Sequence, residues 1–88
     1  MYSLSIRPEL DKKLEKLAKK DKLVFESIMK KTEEIIQNPQ HYKNLRAPLQ
    51  QWKRVHVGGS FVLAFSVDEN TKTVTLEDFD HHDEIYKQ

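Results

Sequence analysis

Tyr2, Leu4 and Ile6 alternate with Ser3, Ser5 and Arg7, a period of two that predicts a short strand with one buried face. Pro8 suits the first turn of a helix, where its missing N–H costs nothing, and Glu9 and Asp11 suit the positive end of the helix dipole. Leu10, Leu14, Leu17 and Ala18 then recur at helical spacing as one apolar stripe. Asp21 is placed to cap a second helix that buries Val24, Phe25, Ile28, Met29, Thr32, Ile35 and Ile36, and Asn38-Pro39 stops it. So short a break between two helices predicts an antiparallel hairpin. Beyond a polar loop holding Tyr42 and Leu45 the period returns to two. Trp52 to Val57 reads as a strand, Gly58-Gly59-Ser60 as its turn and Phe61 to Val67 as its partner; Asp68 to Lys72 turns again into Thr73 to Phe79. In Phe61-Val62-Leu63-Ala64-Phe65 both faces are apolar, which marks a central strand covered at least partly on both sides. The expected fold is α+β, in the order β-α-α-β-β-β, with a helical hairpin on one face of an antiparallel-rich sheet.

Eighty-eight residues leave room for a single domain, 1–88, with a small core. The apolar run Val55 to Val67 is too short to cross a bilayer, and Met1 to Arg7 has no signal-peptide core, so a cytoplasmic protein without membrane association is expected. The absence of cysteine excludes disulfides and thiolate chemistry, leaving only His and carboxylates for a metal. A net charge of +1 conceals polarity: residues 1–54 carry thirteen Lys/Arg against seven Asp/Glu, whereas residues 55–88 carry two against seven. This fits a basic surface for a polyanion followed by an acidic segment, and equally an ordinary solvated pair of helices.

Alternation directs Val55 and Val57 to the core and Trp52, Arg54 and His56 to the other face. Lys53, at the start of the strand, can reach either side. His81 and His82 follow the last strand, with Tyr86 one helical turn after His82. A meander brings that end towards the face carrying Arg54 and His56. Imidazoles, a guanidinium and a phenol together suit RNA cleavage, in which a 2′-OH attacks the adjacent phosphate. The reaction needs a base, an acid at the 5′ oxygen and a cation at the phosphoryl oxygens. Trp52 or Tyr86 could stack an unpaired base. Plainer roles stand beside each: His56 as a surface residue, His81-His82 as a polar chain end, Tyr86 folded onto the core, Trp52 as packing. Zinc is not expected, because adjacent His81 and His82 point opposite ways and no His-x₃-His pair exists. With no phosphate-cradling Gly loop, no cofactor is expected either.

The segment from Leu45-Arg46 through Trp52-Lys53-Arg54-Val55-His56-Val57-Gly58-Gly59-Ser60-Phe61-Val62-Leu63-Ala64-Phe65 resembles the sheet of the RelE/ParE toxin superfamily. The ending Phe79-Asp80-His81-His82-Asp83-Glu84-Ile85-Tyr86 is similar to its closing motif, a His or basic residue four before an aromatic. His41-Tyr42-Lys43 and His56 place the chain nearest the RelE and YafQ branches. The resemblance implies the toxin of a type II toxin–antitoxin system, a metal-independent, ribosome-dependent mRNA interferase. Its implied partners are the ribosome with its mRNA and a RelB-like antitoxin, in a heterodimer or heterotetramer that meets operator DNA only through the antitoxin. It implies catalytic roles for His56, His82, Tyr86 and Arg54 and RNA contacts for Lys53 and Arg46, to which the reading of the residues adds Trp52 and His81. Two positions depart from the pattern. RelE-like toxins usually carry Arg where this chain has Val62, and YafQ-like toxins carry an acid where it has Ser60. ParE branches of the superfamily poison DNA gyrase without cutting RNA, which is the alternative reading. A third reading is a non-toxic module that binds nucleic acid with steep salt dependence.

Overall fold

The computed structural model describes residues 1–85 and orders them as strand β1 (Ser3–Ile6), helix α1 (Pro8–Lys20), helix α2 (Lys22–Gln37), a 3₁₀ turn (Pro39–His41), strands β2 (Lys53–Val57), β3 (Phe61–Asp68) and β4 (Thr73–His81), and a short helix α3 (His82–Ile85). Tyr86 lies outside the described residues. The sheet order is β1-β4-β3-β2, a meander of β2, β3 and β4 with β1 added parallel to β4. The mixed character comes from the helices, which carry the chain from β1 over to the far edge before the meander begins.

Pro8 occupies the first turn of α1, whose Leu10 and Leu14 are buried. The single residue Asp21 separates the helices, and its Oδ1 accepts the Val24 N–H at 3.2 Å as the cap of α2. In α2, Ile28, Thr32 and Ile35 are buried; Thr32 satisfies its hydroxyl by donating to the Ile28 carbonyl at 2.8 Å. These residues pack on Val57, Leu63, Phe65, Val74, Leu76 and Phe79 to form the main core.

β3 carries a second layer on its other side. Leu63 and Phe65 face the helices, while Val62 and Ala64 are equally buried under Leu45 and Ile85, with Leu49 and Trp52 against them. The 42–52 loop is held over this face by Leu45 N–H to Trp52 O at 2.8 Å and Arg54 N–H to Lys43 O at 2.9 Å. One expectation needs correcting. Tyr2 and Ile6 pack against the core as the alternation requires, but Leu4 between them is 41% exposed. β1 is an edge strand, and it meets the main cluster only through Ile6 at its end and Tyr2 just before its start.

At the opposite end of the sheet from the β2–β3 turn, Glu69 accepts hydrogen bonds from Tyr2, Gln40 and Lys72, tying β1, the 3₁₀ turn and the β3–β4 turn together. The Lys72 bond first, then those from Tyr2 and Gln40, hold its carboxyl down at about 2, against an ordinary 4.5. A lowered carboxylate pKa contributes stability that is present above the ordinary value and lost as pH falls through the folded one. The melting-temperature gap between the wild type and Glu69→Gln is therefore expected to close as pH falls from above 4.5 towards 2. Calorimetry across that range checks it; a constant gap would refute the network.

Candidate active site

The two histidines singled out by alternation and by the chain end meet. The His56 ring, on β2, stacks against that of His82 at the start of α3, with centroids 6.1 Å apart and planes 17° from parallel. Three features bring them together. Gly58, at φ 65, lets the β2–β3 turn close where an L side chain would be strained. The Ser60 carbonyl at the end of that turn accepts the His82 N–H at 2.8 Å. The third is a bulge: Ala64 pairs with Asp78 but Phe65 with Leu76, so Glu77 is an extra residue on β4. Before the bulge Val74 and Leu76 face the helices; after it Phe79 does. Asp78 and Asp80 consequently share the His56 face, and His82 continues their side. Without that extra residue, strict alternation from Leu76 would carry His82 to the helix side.

Arg54 lies on the same face, half-buried, paired across the sheet with Ala64. Its Nε is buried and has no hydrogen-bond partner among the described residues. The other expected residues are placed apart from this group or differently engaged. Lys53 turns to the other side of β2, and its Nζ donates to Tyr42 O and Asn44 Oδ1, both at 3.2 Å. His81 is on the helix side, with its ring edge-on to Phe61 at 6.0 Å, and its Nδ1 accepts the Asp83 N–H at 3.4 Å. Trp52 packs on the second apolar layer, and Arg46 lies in the exposed loop above it. The group thus comprises His56, His82 and Arg54, bordered by the carboxylates of Asp78, Asp80 and Asp83, and its charge is mixed rather than uniformly basic. Asp83 Oδ1 stands 3.6 Å from His82 Nδ1.

Lys13 was not among the residues that the sequence suggested. It reaches round the edge of β4 from α1 to Asp78 at 3.2 Å, the Phe79 carbonyl at 2.8 Å and Asp80 at 3.3 Å. Burial alone would push its ammonium down, but Asp78 and Asp80 more than reverse this and leave it above its ordinary value. Among the described residues no group of three or more His, Asp or Glu could hold a metal.

Residues 4–86 match the family model of the ParE toxin of the type II toxin–antitoxin system parDE. The chain belongs to the RelE/ParE toxin superfamily. The toxin is 62% identical over 88 residues to RelE4 of Methanocaldococcus jannaschii, covering all of this chain and 94% of that one. Its fold is similar to the toxin in the intact RelBE toxin–antitoxin complex of Escherichia coli (TM-score 0.75, 19% identity, 92% of this chain and 96% of that one). It is also similar to Escherichia coli YafQ (TM-score 0.74, 16% identity, 98% and 99%). The Val62 departure has a structural counterpart in this toxin: Val62 is fully buried beneath the second layer, where an arginine would have no room and no water.

Proposed function

We propose that this toxin is a metal-independent, ribosome-dependent mRNA endonuclease, neutralised by a RelB-like antitoxin. The observation that carries the reading is the stacked His56–His82 pair, two proton carriers from distant parts of the chain on the sheet face away from the helical hairpin. In the reaction one imidazole takes the 2′-OH proton as the 2′ oxygen bonds to phosphorus. The other gives a proton to the departing 5′ oxygen, leaving a 2′,3′-cyclic phosphate and a 5′-OH. Arg54 supplies the cation. It lies on the same sheet face as His56, and its delocalised charge suits a phosphoryl oxygen whose charge grows in the transition state. Trp52 and Arg46, beside that face, and Lys53 and His81, on the other, are left for contacts with the message or ribosome, and Tyr86 for the catalytic role that the family resemblance implies.

The family model that matches is that of ParE, which favours a second reading as a gyrase poison without RNase activity. Primer extension on a defined message incubated with the toxin in a translation mixture, with and without ribosomes, separates the two. Cuts that require both toxin and ribosomes are expected. Growth arrest with intact message and induced DNA damage would replace the nuclease reading with the gyrase one.

A further inference from the structure

We infer that Lys13 is a positioning residue, whose ammonium holds the unpaired end of β4, and with it His82, where it stacks on His56. The inference rests on the reading of that histidine pair as the reacting groups. β1 pairs with β4 only as far as Ile6 opposite Leu76, yet β4 continues to His81. Its last stretch, Glu77 to His81, therefore has β3 on one side and no strand on the other. A strand edge of this kind leaves backbone donors and acceptors facing outward.

Here the missing strand is replaced by side chains. The Phe79 N–H donates to Asp78 Oδ1 and the His81 N–H to Asp80 Oδ1, each at 2.8 Å. The Phe79 carbonyl accepts from Lys13 Nζ at 2.8 Å, and the same nitrogen lies 3.2 Å from Asp78 Oδ1 and 3.3 Å from Asp80 Oδ2. An ammonium has three donors, and here three acceptors take them. A lysine so engaged is a poor ligand for RNA phosphate. It is anchored from below, since Leu10, Leu14 and Leu17 of the same helix pack in the core. Without the ammonium, the Phe79 carbonyl loses its partner and the carboxylates of Asp78 and Asp80 repel each other two residues before His82.

The test compares purified wild-type toxin with Lys13→Met, which keeps the aliphatic stem, and Lys13→Arg, which restores a cation. In single-turnover cleavage on programmed ribosomes, Lys13→Met is expected to lower the saturated rate about 10- to 100-fold, with the half-saturating ribosome concentration unchanged. Lys13→Arg should recover most of the loss. In NMR of the free toxin, Lys13→Met should weaken the through-space contact between the His56 and His82 rings and speed amide exchange at Phe79 and His81. An unchanged ring contact would overturn the inference. So would a raised half-saturation at an unchanged saturated rate, since that marks direct contact with RNA. If the wild type cuts no message, the nuclease reading fails, and the NMR comparison still decides whether Lys13 places His82. Should Lys13→Met fail to fold, Asp80→Asn keeps an acceptor for the His81 N–H, removes one charge of the clasp and carries the same readouts.

Discussion

His82→Ala is expected to lower ribosome-dependent message cleavage by about 10²- to 10⁴-fold, the range associated with losing a positioned acid or base. The fold should survive the change. The ring is partly exposed, and the bond from residue 82 to Ser60 uses the backbone N–H, which alanine retains. In the proposed mechanism the two imidazoles divide one proton-transfer sequence, so His56→Ala should have an effect of the same order. The double variant should then fall little below either single one, as residues acting as a unit are strongly non-additive. Primer extension and growth on induction check these outcomes. Variants that still arrest growth while the message stays intact would move the toxin to the gyrase reading. Variants that still cut it would place the chemistry elsewhere on the surface.

Local patterns reveal the parts of this structure that are set locally. The doubly apolar Phe61–Phe65 run marks a strand between two layers, and both layers are present. The Asp21 cap, Pro8 and Asn38-Pro39 define the helix limits because capping and proline geometry act within a few residues. The parallel pairing of β1 with β4 joins Ser3 to Thr73, and nothing near either residue signals it. The Glu77 bulge shows only as a change of spacing, two residues from Val74 to Leu76 and three from Leu76 to Phe79. That change decides which face receives His82. The meander alone brings the end of β4 towards His56 and makes that approach legible, whereas Lys53 and His81 are drawn to the helix side by register. Lys13 had no local signature at all, since its partners on β4 lie more than sixty residues away.

Phe65→Ala is expected to produce the largest loss of stability, about 3–5 kcal/mol. Phe65 is fully buried in the main core, and the Tyr42 ring meets it edge-on at 5.6 Å. Truncation removes the transfer energy of the ring and leaves a cavity that the neighbouring strands and α2 cannot fill, because Leu63, Leu76 and Ile35 are already packed in place. A domain of 88 residues has roughly 4–13 kcal/mol in all, so one substitution takes a large share of it. At about 4–8 °C per kcal/mol the melting temperature should fall by some tens of degrees, and the urea midpoint should drop with little change in slope. Leu4→Ala provides the contrast. Its side chain is a large apolar one as well, but it is 41% exposed on the edge strand, and the cost should stay below about 1 kcal/mol. Equal losses at the two positions would mean that β1 is covered in solution as β3 is. A loss below 1 kcal/mol at Phe65 would mean that the helical layer does not close on the sheet there. The rigidity of that closure bears on the chemistry. β3 lies between β2, which carries His56, and β4, which leads to His82, so loosening its helix side should lower the cleavage rate at temperatures below the melting transition.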